Sequence, residues 1–511
     1  MQATPSIEKL LQFAMANGLL AREDMDFARN ALLYAMHMDA PEEGCVPDNS
    51  PLPQTATPML ESLCEAAVGK GIIEDFPFFR EQFSAHLMNL LTPPPSQIIR
   101  KYRALENYQG IQQATEWFHN LCRTNDYIRV DQLARNVEFV SPSPYGQLEI
   151  TINLSKPEKD PREIARLKDA PSVGYPRCML CVENEGYAGR PGYPSHETLR
   201  TIPLTLEGEA WRFQYSPYAY YHEHCIVLNE DHRPMALSRR TFSLLLDFLD
   251  EYHHYFLGSN ADLPIVGGSI LTHDHFQGGY HTFPMDKAPA YAAFSHAQYP
   301  DVRIEAVRWP MTCIRLSSFS KDQLIPLADD ILAAWRQYDD PINDILHATG
   351  DVPHNTVTPI ARRQADGRYV LQLVLRNNRT SPEHPLGIFH PHADLHHIKR
   401  ENIGLIEVMG LFVLPGRLRD ELNALTDYLT GKRPVEKPAE DDPLAKHYAW
   451  IEPIAWETGT SHTPEEALGI LKQALALKCV RVLEDSGVFK PNANGDAALA
   501  RFLRSLGIKP A

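Results

Sequence analysis

The segment from Asp262 to Gly279 reads Asp-Leu-Pro-Ile-Val-Gly-Gly-Ser-Ile-Leu-Thr-His-Asp-His-Phe-Gln-Gly-Gly, an apolar run that enters a polar cluster between two glycine pairs. The apolar stretch Ile265 to Leu271 predicts a strand, so the fold must supply a sheet to receive it. On an extended chain alternate residues share a face. His273, His275 and Gln277 are therefore expected on one side, with Asp274 and Phe276 on the other. Flanking glycines let backbone amides approach an anion closely. Two imidazoles and an amide in that setting suit phosphoryl chemistry. A neutral imidazole can attack phosphorus and form a phosphoramidate that a second acceptor discharges. Gln277 can hydrogen-bond a non-bridging phosphate oxygen without adding negative charge. Spacing by itself leaves two other readings open, metal ligands and polar pocket residues.

The rest of the chain surrounds this segment with two textures. Residues 1–135 carry helical periodicity; Ile7, Leu10, Leu11 and Ala14 follow one helix face, with Ser6 as the expected cap and Gly18 as the stop. From residue 136 the pattern changes to strand-like alternation, as in Leu148 to Leu154. Further strands are expected near Arg212 and Cys225, at Met311 to Leu316 and at Tyr369 to Leu375, with a helix over Thr241 to Tyr255. Residues 136–432 therefore read as an α+β region with antiparallel sheet, long enough for two half-domains, 136–300 and 301–432. Residues 433–511 read as a proline-rich and charged linker followed by helix. Thr463-Pro464-Glu465-Glu466 supplies a capping box there.

Acidic residues outnumber basic ones, 65 to 49, for a net charge of −16. That balance argues against nucleic acid or an anionic membrane as partner but leaves room for a basic pocket that binds a small anion. No apolar run is long enough to cross a membrane, and Met1 to Gly18 lacks the basic start and apolar stretch of an export signal. The expected compartment is the cytoplasm, where the eight cysteines would be reduced thiols or metal ligands. Cys178-Met179-Leu180-Cys181 is a C-x-x-C pair, compatible with zinc binding, two buried thiols or a redox pair.

The run Asp262 to Gly279 closely resembles the active-site motif of the class II galactose-1-phosphate uridylyltransferases, with Thr272 where serine or alanine is expected. The resemblance extends more loosely over most of the chain. It implies two histidine-triad-like half-domains with antiparallel sheets, plus helical N-terminal and C-terminal extensions. It also implies exchange of UMP between UDP-glucose and galactose 1-phosphate, giving glucose 1-phosphate and UDP-galactose, by double displacement and without an organic cofactor. His275 maps to the nucleophile and Gln277 to the glutamine on the transferred phosphate. Asn260, Gly268 and Ser269 lie where class I enzymes place phosphate contacts, although class I has proline at the position of Asp274. Class I enzymes also complete a zinc site from a C-x-x-C and two histidines; the corresponding set here is Cys178, Cys181, His232 and His273. A homodimer is expected because some family active sites are completed across a subunit interface.

In the second half, Arg376 ends a strand with Asn377, Asn378 and Arg379, a set able to grip a sugar phosphate. Val374 and Arg376 replace the H-x-H that holds a second metal in class I. His384, His390, His392, His396 and His397 crowd one segment, expected as a loop without metal. His222 and His224 are expected to alternate along a strand. Two alternatives accompany the leading reading: a dinucleoside-polyphosphate phosphorylase or hydrolase on the same fold, and a non-catalytic, metal-stabilised UDP-sugar binder.

Overall fold

A computed structural model describes residues 2–45, 50–155, 173–267 and 270–511. The chain forms two compact units. The first comprises Met1–Arg135, Pro157–Arg233 and His273–His275; the second comprises Asn136–Lys156, Pro234–Thr272 and Phe276–Ala511. The first unit opens with helices α1 (Thr4–Ala16), α2 (Met25–Ala35), α3 (Thr57–Gly69), α4 (Pro77–Leu91), α5 (Pro95–Gln109), α6 (Ile111–Thr124) and α7 (Val130–Leu133). Helix α1 starts two residues before the expected cap: Ser6 lies inside it and its hydroxyl pairs with Ser62 at 2.8 Å. Strands β1 (Val137–Ser143) and β2 (Gly146–Asn153) belong to the second unit, and β3 (Ile202–Leu206), β4 (Glu209–Tyr215) and β5 (Cys225–Asn229) return to the first as an antiparallel run.

Alternation along β4 buries Trp211, Phe213 and Tyr215, and the 3–4 spacing along α6 buries Ile111, Thr115, Phe118 and His119. The two sets meet: Phe118 lies 5.9 Å from Phe213 and 5.3 Å from Tyr215, ring centre to ring centre. Each such aromatic side chain contributes about 1.5–3 kcal/mol by leaving water. The buried Tyr215 hydroxyl donates to the Thr115 carbonyl at 2.8 Å, which removes the cost of burying it and fixes the register of helix on strand.

The second unit continues with α8 (Arg239–Glu251), β6 (Phe256–Gly258), β7 (His275–Gly279), β8 (Ala290–Ser295), β9 (Arg303–Val307), β10 (Cys313–Ser318), α9 (Lys321–Trp335), β11 (Asn355–Arg363) and β12 (Tyr369–Asn377). It ends with β13 (Leu411–Pro415), α10 (Arg417–Leu429), α11 (Tyr448–Thr458), α12 (Pro464–Ser486), α13 (Ala493–Ser505) and β14 (Lys509–Pro510). Its antiparallel sheet runs β14-β8-β9-β10-β12-β11-β6-β7. Every residue of β12 is buried, which is why that strand reads as a nearly continuous apolar run. A smaller sheet, β1-β2-β13, pairs β13 parallel to β2. The chain is thus α+β, with helices before and after the sheet region. Thr463 caps α12 as its sequence requires, Thr463 Oγ1 accepting from Glu466 N at 3.3 Å and Glu466 Oε2 from Thr463 N at 2.9 Å. Among the described residues no helix is long and apolar enough to cross a membrane.

Two expected strands are not strands. Described residues from Ile265 to Leu271 form bends and a turn, with Ile265 at φ 74° and Gly267 at φ 141°, values that an extended strand does not contain. Regular pairing begins only at His275. His222 and His224 likewise sit at a turn before β5, where Glu223 has φ 55°. In both places local composition looked apolar or alternating while the backbone turns through left-handed φ.

Gly410 leads into β13 with φ 100°, and a Cβ there would stand 2.9 Å from Pro284 Cβ and 2.9 Å from the Trp309 ring. Gly410→Ala is expected to lower stability by about 2–4 kcal/mol, from backbone strain plus overpacking. Urea denaturation reads the shift in midpoint.

Candidate active site and metal centre

Residues 273–275 lie along the end of β5 and the turn that follows it. Asn229 N donates to Asp274 O at 3.0 Å, Asp274 N donates to Arg233 O at 2.7 Å, and His273 Nε2 donates to Asn229 O at 2.8 Å. The Asp274 carboxylate faces Arg233 Nε at 3.5 Å. With Nε2 committed to a carbonyl, His273 presents Nδ1 to Cys178 Sγ at 3.3 Å and Cys181 Sγ at 3.8 Å. The two sulfurs are 3.6 Å apart, and His232 Nδ1 lies 3.1 Å from Cys181 Sγ. Sulfur and nitrogen ligands of one tetrahedral zinc stand about 3.5–3.8 Å apart, so the four donors fit a single ion. Cys178, Cys181, His232 and His273 therefore form a cysteine–histidine cluster able to hold a metal.

The C-x-x-C turn is set from behind. Asn184 Nδ2 donates to the carbonyls of Cys178 and Cys181, 2.8 Å each, and the Tyr193 hydroxyl reaches the Cys178 carbonyl at 2.9 Å. Burial opposes ionisation of Cys178, but the His273 ring and the Leu180 amide outweigh it and hold this thiol below its ordinary value; burial pushes Cys181 up to about 12. Asn184, Tyr193 and Asn229 were not singled out from sequence. Asn229 acts through its main-chain carbonyl, which carries no residue-type signal.

His275 opens β7 and is buried. Its Nδ1 lies 2.7 Å from the His273 carbonyl. A carbonyl can only accept, so Nδ1 carries the hydrogen and Nε2 keeps its lone pair. Burial drives the pKa of the ring down to about 4, so the imidazole is neutral at pH 7. Gln277 is the next residue but one on the same strand, half-buried and paired with Gly258 of β6.

Asn260 and Arg376 meet a common segment. Asn260 Oδ1 accepts from Leu405 N at 3.0 Å, and Arg376 Nη2 donates to Ile403 O at 3.1 Å. Arg376 is 1% exposed; its Nη1 reaches Thr358 Oγ1 at 3.4 Å and burial lowers its pKa to about 10. Gly268 and Ser269 lie outside the described residues. The histidine-rich segment forms irregular chain with a short turn at Ala393–Leu395. There, His392 Nδ1 faces Asp485 at 3.5 Å and His397 Nδ1 lies 2.7 Å from His447 Nδ1.

Two family profiles match the chain: galactose-1-phosphate uridyl transferase, N-terminal domain, over residues 66–234, and the C-terminal domain of the same family over residues 248–439. A Caldanaerobacter subterraneus protein named galactose-1-phosphate uridylyltransferase is 49% identical over 98% of both chains. Proteins of the same name are 44% identical in Fusobacterium nucleatum, over 99% of both chains, and 45% identical in Bacillus subtilis, over 99% of this chain and 98% of the relative. The chain belongs to the galactose-1-phosphate uridyl transferase family. No solved structure matches it. Cys178, Cys181 and His232 fall within the uridyl transferase N-terminal match, whereas His273, His275, Gln277, Asn260 and Arg376 fall within the C-terminal match. Residues 440–511, with α11, α12 and α13, extend beyond both profiles.

Proposed function

We propose that the protein exchanges UMP between UDP-glucose and galactose 1-phosphate with His275 as covalent nucleophile. The observation that carries this reading is the His275 tautomer: a buried, neutral ring with Nδ1–H on the His273 carbonyl and the Nε2 lone pair uncommitted to that bond. In the first step Nε2 bonds to the α-phosphorus of UDP-glucose, and the bond to the glucose 1-phosphate oxygen breaks. In the second step a phosphate oxygen of galactose 1-phosphate bonds to the same phosphorus, and the P–N bond breaks. UDP-galactose leaves and the neutral ring is restored, so no net proton is consumed. Gln277, two residues along the strand, donates to a non-bridging oxygen as charge gathers there. Asn260, Gly268 and Ser269 serve the phosphates, and Arg376 supplies a buried positive charge at the 403–405 segment.

Cys178, Cys181, His232 and His273 would hold zinc, in a structural role. A metal on His273 Nδ1 would fix the ring whose backbone carbonyl orients His275. A cytoplasmic location suits these thiols, which bind metal only when reduced.

Intact-mass spectrometry after brief incubation with UDP-glucose alone tests the reading. A uridylyl-sized mass gain that disappears on adding galactose 1-phosphate is expected. An unmodified protein that nonetheless completes the exchange would overturn the covalent route.

A further inference from the structure

A second cluster of donors lies elsewhere in the first unit, made of residues the proposed reaction does not use. His119 projects from α6 one turn after Thr115, whose carbonyl is bonded to Tyr215 at the end of β4. The chain leaving β4 forms a compact loop before β5. Ser216 N donates to His224 O at 2.8 Å, Ala219 N to Ser216 O at 3.3 Å and His224 N to Tyr221 O at 3.2 Å. The Tyr218 and Tyr220 rings stack within it, 6.0 Å apart. The turn places His222 and Glu223 against the helix. The His119 and His222 rings are 5.2 Å apart and nearly perpendicular, and His222 Nε2 lies 3.8 Å from Glu223 Oε1. One ligand atom from each of His119, His222 and Glu223 falls within 4.8 Å of the others.

The burial is graded in a way that suits an ion. His119 and Glu223 are buried, 6% and 3% exposed, while the His222 side chain is 56% exposed. Two imidazoles with one carboxylate make a donor set for a divalent transition metal that keeps an open coordination position. We propose that His119, His222 and Glu223 form a second metal site, taking Zn²⁺ with water as the fourth ligand on the exposed side. Donors on one zinc stand about 3.3–3.4 Å apart. The exposed His222 ring can move to bring the three donors to that spacing. The bound ion would clamp α6 to the loop at residues 216–224.

The two sites differ in ligand chemistry, and that separates them experimentally. Untagged, metal-stripped full-length protein is titrated with Co²⁺ and followed by absorption. Cobalt on the cysteine–histidine cluster gives intense thiolate charge-transfer bands; cobalt on two imidazoles and a carboxylate gives only weak ligand-field bands. Wild type is expected to take two equivalents, one of each kind. Glu223→Gln and His222→Ala are each expected to lose the equivalent without thiolate bands and keep the other. His222 is exposed, so its truncation leaves the packing of α6 in place. Binding of a single, thiolate-bearing equivalent by wild type would overturn the proposal. So would a second equivalent that persists in both variants, since it must then sit on other residues.

Discussion

His275→Asn is expected to reduce the exchange rate by at least about 10³-fold while leaving the fold and the metal content of the protein unchanged. A thousandfold loss corresponds to about 4 kcal/mol of transition-state stabilisation, a size that fits removal of a nucleophile rather than of a single hydrogen bond. Asparagine is the informative replacement because its amide nitrogen can take over the donation that Nδ1 makes to the His273 carbonyl at 2.7 Å. What it cannot supply is the second ring nitrogen. The position is buried, so a larger or charged replacement would mix catalytic loss with packing loss. The check has three readouts: steady-state exchange, mass gain with UDP-glucose alone, and thermal unfolding. A variant with near-native rate would rule out the covalent mechanism. A variant whose rate falls together with its unfolding temperature would mean that His275 serves the fold first.

How much of this site could be read beforehand follows from what kind of information each contact uses. The H-x-H-x-Q run and the C-x-x-C pair are patterns of side-chain chemistry, and they present Cys178, Cys181, His273, His275 and Gln277, three of the four cluster donors among them, directly in the sequence. Spacing could pair Cys178 with Cys181, but His232 and His273 are 51 and 92 residues from Cys181, so only family resemblance could recruit them. The contacts that orient the histidines are carried by main-chain carbonyls, those of Asn229 and His273, and any residue type supplies a carbonyl. The loop at 265–267 was misread for a related reason. Its apolar residues satisfy the strand pattern, while the turn depends on φ at Ile265 and Gly267. The α+β architecture was legible because it rests on periodicity, 3–4 along α6 and alternation along β4. The cluster of His119, His222 and Glu223 was hidden because its members come from a helix and from a turn that the sequence presents as a strand.

Cys178→Ser is expected to abolish tight metal binding at the cysteine–histidine cluster and to cost on the order of 3–5 kcal/mol of stability. A serine hydroxyl is a poor replacement for a thiolate, and three remaining donors would hold the ion far more weakly. The supporting contacts should survive: Asn184 and Tyr193 bind the Cys178 carbonyl, which the substitution leaves in place. The variant therefore isolates the ion's contribution from that of the turn. Chelation supplies the matching control. Wild type and Cys178→Ser should unfold at nearly the same temperature once both are stripped of metal, and chelator should lower the unfolding temperature of wild type by more than that of the variant. Activity should fall in step, because an ion on His273 Nδ1 would hold the residue whose carbonyl sets the His275 tautomer. This separates the two predictions. His275→Asn should lose turnover with its metal retained, whereas Cys178→Ser should lose metal first and turnover as a consequence. A Cys178→Ser protein that kept one thiolate-ligated equivalent at wild-type affinity and wild-type stability would show that the cluster is two buried thiols beside two histidines, with no ion needed to hold the catalytic strand.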